Sequence, residues 1–306
     1  MKEKPIAYSE IFYSIQGEGH YTGVPTAWIR FFLCNLQCNG FGQIDPSDPN
    51  TYELPFETYD VSQVKRVEDL PVWDKGCDSS YTWAKKYKHL MGQETPTVLA
   101  NKIVDVLKTD SNPDGLFLHP VTKQRQHLCI TGGEPLMVHA QECTLQIIQH
   151  MLEDANFPQS ITFETNGTQP LLPDFASQIH QSSSKSTATM ATKVHWSISP
   201  KLWTVAGEHS TKAFKPEIIK TYQAASQHGM LKFVCNGRPD AWDEIDDKVN
   251  ILRKMGVNFP VSIMPVGATV EGQKLVDGQV ASEAVARGYH ISARVHTYLW
   301  GNVIGV

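Results

Sequence analysis

No apolar run in these 306 residues approaches the roughly 20 needed to cross a bilayer, and the mean hydropathy is -0.29, so a helical membrane protein is excluded. The opening stretch MKEKPIAYSEIFYSIQGEG lacks the apolar core of a secretory leader, and a cytoplasmic protein is expected. A basic surplus is missing too. The net charge is -5 and the pI about 6.2, which argues against gripping nucleic acid by its phosphates and favours small-molecule chemistry. Charged residues make up only 19% against 41% hydrophobic, which sets aside a disordered chain and a coiled coil. No internal repeat is evident. The length suits one large domain or two small ones, and one α/β domain of this size buries roughly three-quarters of its unfolded surface.

Cysteine is present but not in the pattern of a structural zinc site. Of the six, at 34, 38, 77, 129, 143 and 235, only Cys34 and Cys38 form a close pair, and no second pair exists. With no leader, their even number is weak evidence for disulfides. Thiolates also hold iron–sulfur clusters, and that alternative stays open at this point. The twelve histidines contain no HxxxH or similar pair. Asn166-Gly-Thr168 matches a glycosylation sequon, which is irrelevant without a leader.

Strand and helix signals alternate along the chain. Residues 26–32 are β-branched and aromatic and predict a strand running up to Cys34. Residues 39–76 carry Asp45-Pro-Ser-Asp-Pro-Asn50 and little periodicity, which predicts a long loop or an inserted subdomain. Pro96 opens a helix with Leu99, Ile103, Val106 and Leu107 on one face. Strands are expected at 127–130, 160–164, 195–198, 230–235, 261–264 and 289–293. Helices are expected at 141–154, with Leu145, Ile148 and Leu152 on one side, at 215–228 and at 241–255. The Ser/Thr-rich residues 181–189 predict a mobile surface loop. This alternation implies a parallel α/β architecture, either barrel-like or doubly wound. Cys34, Thr131-Gly-Gly-Glu-Pro135, Glu164-Thr-Asn-Gly-Thr168 and Ser199-Pro-Lys201 all follow strands. Parallel α/β sites form at the carboxyl ends of strands, so one pocket can collect these motifs.

Three thiols, Cys34, Cys38 and Cys77, are the candidate metal ligands. Three thiolates can hold a four-iron, four-sulfur cluster and leave one iron open, although each cysteine read singly is an ordinary buried thiol. Cys129, Cys143 and Cys235 read as structural. Gly132 and Gly133 leave room for close backbone approach, or make a plain tight turn. Taken together, Ser14-Ile-Gln-Gly-Glu-Gly19, Gly23-Val-Pro25, Trp28-Ile-Arg30, the cysteines, Thr131-Gly-Gly-Glu-Pro135 and Tyr298-Leu-Trp-Gly-Asn302 resemble radical S-adenosylmethionine enzymes. Among these they resemble the family of 7-carboxy-7-deazaguanine synthases. The resemblance covers residues 9–32 and 76–83, then short motifs to Lys201. The family places its third cluster cysteine where this chain has Phe41, and the heptad starting at Cys77 resembles the stretch that follows in the family.

That resemblance implies a partial (β/α) barrel, a single domain over 1–306, with residues 39–76 inserted between the second and third cluster ligands. It implies a lyase that contracts 6-carboxy-5,6,7,8-tetrahydropterin to 7-carboxy-7-deazaguanine with release of ammonia, in the biosynthesis of queuosine and related 7-deazapurines. The cluster would rest on Cys34, Cys38 and Cys77, and magnesium on Ser79, which replaces a family threonine. S-adenosylmethionine would meet Gly76, Asp78, Gly133, Glu164, Ser199, Pro200 and Lys201. The pterin would meet Ile15, Gln16, Gly17, Arg30 and Thr131, and Arg30 is the residue type that grips a carboxylate through two parallel bonds. An arginine on a strand that served structure alone would need a buried partner. His296 could approach the substrate or simply pack. No catalytic side chain beyond the cofactor is implied. Implied partners are a flavodoxin-like reductant and a second copy of the chain, with no direct contact to nucleic acid or membrane. Two rivals remain. One is an activase that makes a glycyl radical on another protein, which should lack Gln16-Gly-Glu18 and Arg30 in this arrangement. The other is a non-catalytic binding protein with a degenerate cluster site, suggested by Phe41.

Overall fold

The computed structural model describes residues 3–184, 192–301 and 303–305. Nine strands form one mixed sheet: β1 (Ile6–Ile15), β2 (Pro25–Phe31), β3 (Gly92–Glu94), β4 (His127–Gly132), β5 (Ser160–Thr165), β6 (Lys193–Ile198), β7 (Gly229–Cys235), β8 (Val261–Pro265) and β9 (His290–Ile291), in the order β3-β1-β2-β4-β5-β6-β7-β8-β9. β1 runs antiparallel to both β2 and β3, and every later neighbouring pair is parallel. From β4 onward each strand is laid beside its predecessor with no reversal. A doubly wound sheet requires such a reversal, so of the two expected architectures that one is excluded.

Most connections are helices: Pro96–Val106, Val138–Glu153, Pro173–Ser184, Pro216–Ala225, Pro239–Lys254 and Asp277–Ala286. Four of these begin on a proline, whose missing N–H costs nothing in the first turn. The helix at 138–153 buries Ala140, Cys143, Thr144, Ile147 and Met151, and the expected stripe of Leu145, Ile148 and Leu152 lies only half-buried beside them. Small residues let the helix sit close to the strands, so the largest side chains flank the contact. The expected loop at 181–189 is helical as far as Ser184, and residues 185–189 lie outside the described residues. Residues 289–293 supply a two-residue strand only. Residues 39–76 fold around Phe56, Val67, Leu70 and Trp73, in a satellite core that also takes in Tyr81 and Tyr87 from beyond that segment. No helix among the described residues is long and apolar enough to cross a membrane.

At the amino ends of the parallel strands His127 and His195 are buried against Tyr21 and His20. His127 bonds Ser160 and Thr162 at 2.6 and 2.9 Å. Burial, helped by neighbouring histidines, pushes both rings down to about 3 from the ordinary 6.5. Burial pushes Glu134 up to about 7 from 4.5, despite the N–H and hydroxyl donors of Asn166 and Thr165. Between pH 4.5 and 6.5 the unfolded chain gains two imidazole protons that the folded chain refuses, while folded Glu134 keeps one that the unfolded carboxyl has lost. Unfolding then takes up about one net proton, and stability should fall by about 1.4 kcal/mol per unit of acidification. Below pH 4.5 the Glu134 offset ends and the slope should steepen. Thermal unfolding in a series of buffers checks this. A melting temperature that stays flat from pH 6.5 to 4.5 would contradict two buried neutral histidines.

Candidate active site

The strands have two faces of opposite character. Ala27, Ile29 and Phe31 of β2, Leu128 and Ile130 of β4, Ile161 and Phe163 of β5, and Leu231 and Phe233 of β7 point into the main core with the helices. The alternating positions Arg30, Thr131, Glu164, Ser197 and Lys232 line a cavity of about 780 Å³ on the other face. That volume is typical of a site for a sizeable small molecule.

The cysteine turn leaves β2 at this cavity. Its backbone is unusual: Leu33 and Cys38 both have left-handed φ, 96° and 54°, although neither is glycine. Such conformations persist only where surrounding contacts hold them. Glu208 holds Cys38, its Oε1 accepting the Gln37 and Cys38 N–H groups at 2.7 and 2.8 Å, and the Leu33 N–H donates to the Thr82 carbonyl at 2.7 Å. Gly40 lies against the Ala206–Gly207 backbone so closely that a Cβ would stand 2.5 Å from the Gly207 nitrogen. Cys38 with Leu36 and Ala206 forms a small apolar cluster, against which Cys34 and Cys77 pack. All three cysteines are free thiols and line the cavity, whereas Cys129, Cys143 and Cys235 are buried outside its lining.

Burial, with Glu134 nearby, pushes Cys34 up to about 12, and burial with Asp78 pushes Cys77 up to about 11; Cys38 moves the same way. Thiolates at this spot therefore call for a cation that binds them directly. Among the described residues no three His, Cys, Asp or Glu side chains converge to hold a single metal ion. A polynuclear cluster would not need its thiolates to converge on one ion. Three soft donors on one apolar wall suit such a group.

The Thr131-Gly-Gly-Glu-Pro135 turn packs on the same wall. A Cβ on Gly132 would lie 2.4 Å from the Phe31 carbonyl oxygen, and one on Gly133 2.3 Å from that of Leu33 and 2.8 Å from the Cys34 Cβ. The close approach that needs glycine here is by the chain itself. Glu134 points away from the cavity and binds the next motif, accepting from Thr165 at 2.7 Å and from the Asn166 N–H at 2.8 Å. The Lys201 ammonium donates to Ser199 at 3.0 Å and sits 5.8 Å from the centre of the Phe41 ring. Phe41, where the resemblance led a cysteine to be expected, thus lies against this lysine.

Arg30 does have a buried partner. Its Nε donates to Glu10 at 2.6 Å, and the Tyr81 hydroxyl donates to the same oxygen at 2.8 Å. Arg30 still lines the cavity. Gln16 donates to Glu164 at 3.3 Å, and the Glu18 N–H donates to the Gln16 side chain at 3.2 Å.

No protein-family model matches the chain. A curated 7-carboxy-7-deazaguanine synthase of Bacteroides thetaiotaomicron is 61% identical over 31 residues, 10% of this chain and 17% of that protein. One from Buchnera aphidicola is 26% identical over 163 residues, 53% of this chain, so the chain spans about half (54%) of that relative's length. One from Halobacterium salinarum is 23% identical over 308 aligned residues, covering 96% of this chain and 90% of that one. Along nearly its whole length this chain is similar to the 7-carboxy-7-deazaguanine synthases.

Of the site residues that the likeness to these synthases implies, Cys34, Cys38, Cys77, Gly76, Asp78, Ser79, Gly133, Glu164, Ser199, Lys201, Ile15, Gln16, Gly17, Arg30 and Thr131 all line the one cavity. Pro200 is buried but outside the lining. His296 also lines it, lying so close to Gly17 that a Cβ there would stand 1.9 Å from its Nδ1. Reading the synthase motifs alone misses Glu18, Lys232 and Arg294. Lys232 Nζ pairs with Glu18 Oε1 at 2.5 Å, and Arg294 donates to Asp78 at 3.0 Å. Glu18 lies inside the Gln-Gly-Glu motif, so only its partners were hidden. Lys232 and Arg294 sit in segments that carry no motif.

Proposed function

We propose that this chain is a radical S-adenosylmethionine lyase that contracts 6-carboxy-5,6,7,8-tetrahydropterin to 7-carboxy-7-deazaguanine and releases ammonia. The observation that carries the reading is the gathering of three of the six cysteines and twelve other expected site residues, all of that set but Pro200, on one cavity. The likeness to the synthases, near 23% identity over most of the chain, supports the substrate class. The sheet, laid in sequence order from β4, is read as an open partial barrel, with residues 39–76 as an insertion between the second and third ligands.

A cluster on Cys34, Cys38 and Cys77, with S-adenosylmethionine, would supply a carbon radical able to take hydrogen from an unactivated position. The chain's own part is to bind, orient and exclude water. Lys201 and the Ser199 hydroxyl would meet the anionic and polar ends of the cofactor, Asp78 and Gly76 would flank it, and Glu164 would accept from its hydroxyls. Arg30 uses Nε for Glu10, so its terminal nitrogens are the ones offered to the pterin carboxylate. Burial alone would lower this guanidinium, but Tyr81 and Glu10 beside it keep it cationic. Gln16 and Thr131 present amide and hydroxyl groups to the heterocycle's edge. The Ser79 hydroxyl, which donates to Asp78 at 3.3 Å, would offer magnesium a hard oxygen. A flavodoxin-like reductant and a homodimer complete the proposal.

The test is anaerobic turnover of the reconstituted protein with both ligands, with S-adenosylmethionine recovered unconsumed. A fully loaded cluster that gives no deazapurine would overturn the assignment. Within the same assay, Arg30→Lys keeps the charge but loses the planar fork. It should weaken carboxypterin binding roughly ten- to hundredfold, about 1.5–3 kcal/mol, with S-adenosylmethionine binding far less affected. Equal loss for both ligands would show that Arg30 acts through the fold.

A further inference from the structure

The six residues from Ser292 to Thr297 touch three separate walls of the cavity. The Ser292 hydroxyl accepts the Gly19 N–H at 3.0 Å, and the Val295 N–H donates to the Gly17 carbonyl at 2.8 Å, which ties the segment to the β1–β2 turn. Arg294 spans the other two walls. One terminal nitrogen donates to Asp78 at 3.0 Å, beside Cys77, and the other donates to the Gly267 carbonyl at 2.9 Å, just after β8. From below, Gln273 donates to Thr297 at 3.0 Å in a buried bond.

These contacts fix the guanidinium between the Asp78 turn and the end of β8, while its neighbours Ser292 and Val295 hold the Gly17–Gly19 turn, so one short segment joins the two halves of the site. Asp78 belongs to the turn that carries the third thiol, and Gly17 and Glu18 belong to the turn that faces the pterin. The guanidinium stands 3.0 Å from the Asp78 carboxylate and near enough to the Glu18 carboxylate to act on its charge. Without that cation, two carboxylates would face each other across the cavity with one fewer charge between them.

We infer that Arg294 is a positioning residue: its side chain ties the Cys77–Ser79 turn to the segment 292–297, which itself holds the Gly17–Gly19 turn through Val295 and Ser292, so that the cofactor pocket and the substrate pocket are set together. The inference rests on the proposed function for the identity of the two ligands, but not for the clasp itself. A guanidinium suits the task because its fork reaches a carboxylate and a carbonyl at once, which an ammonium does less well.

The experiment compares the full chain with Arg294→Gln and Arg294→Lys. Hydrogen exchange on the protein without ligands should rise in Arg294→Gln at residues 16–19, 76–79 and 292–297, with the sheet unchanged and unfolding still cooperative. In the reconstituted protein, Arg294→Gln should weaken S-adenosylmethionine and carboxypterin at least tenfold each, and Arg294→Lys should recover part of both. Unchanged exchange at 16–19 and 76–79, or loss of affinity for only one ligand, would overturn the clasp. If the starting protein binds neither ligand, the functional reading falls, and the exchange comparison alone still decides the clasp.

Discussion

Cys77→Ala should leave the anaerobically reconstituted protein without the brown chromophore of an iron–sulfur cluster. Cys34→Ala and Cys38→Ala should do the same. Three thiols line the cavity, and three is the fewest that can hold a four-iron cluster with one iron open to the cofactor. None has a spare beside it: Cys129 lies under Gln16 at 3.8 Å, and Cys143 and Cys235 belong to the helix-side core. Cys129→Ala should therefore retain iron and sulfide, and this control separates loss of a ligand from loss of the fold. The thiols are costly to ionise where they sit, with Cys34 at about 12 and Cys77 at about 11 through burial, so an apo pocket holds them protonated. Cluster assembly should then release protons. A Cys77→Ala protein that binds a full complement of iron and turns over normally would mean that residues 39–76 do not separate two ligands of one cluster.

The strands were legible where both faces carry a signal. Residues 26–32, 127–130, 160–164 and 230–235 are nearly continuous apolar or β-branched runs, as strands covered on both faces tend to be. A polar residue set singly into such a run, such as Arg30 or Lys232, is what the cavity side looks like from the sequence. β1 was the main omission. Its Ile and Tyr residues fit a strand, but the alternation is broken by a bulge between Tyr8 and Glu10 and by Phe12, and its sequence stands out first as a motif. Short elements escaped for a plainer reason: β3 and β9, three and two residues long, are fixed by their neighbours in the sheet and carry no period of their own.

Site residues followed the same division. Groups inside motifs could be named because a motif records a local backbone shape, as Gly133 does by packing on Cys34. Arg294 and Lys232 are each more than 200 residues from their partners, and only the folded chain brings an acid to meet them. Arg30 shows the reverse case. Its buried partner was the condition for a structural role, and the partner exists in Glu10. Both roles fit one side chain because the pairing uses Nε and leaves the far end of the fork.

Lys232→Met should be the most destabilising single change in the cavity wall. The Lys232–Glu18 pair is buried, with side-chain exposures of 7% and 14%, and the second Glu18 oxygen has no donor among the described residues. Removing the lysine strands a carboxylate away from water, which typically costs about 3–5 kcal/mol. At about 2.1 cal/mol/K of unfolding entropy per residue, a chain of this length should melt about 5–8 °C lower at neutral pH. The pH dependence gives the test its sign. In the starting protein burial would raise Glu18, but Lys232 and Arg294 hold it down to about 2 from 4.5, so its contribution is present above pH 4.5 and is lost as pH falls through that range. Without Lys232 burial takes over and the folded carboxyl rises above its unfolded value. The variant's deficit should then shrink on acidification, as a proton replaces the lost cation. Adding Glu18→Gln should recover most of the melting temperature at neutral pH, because no charge is left to strand. A deficit that is the same at pH 5 and pH 8, or a double variant no more stable than the single one, would show that Lys232 acts by packing its stem and not by holding the Glu18 charge.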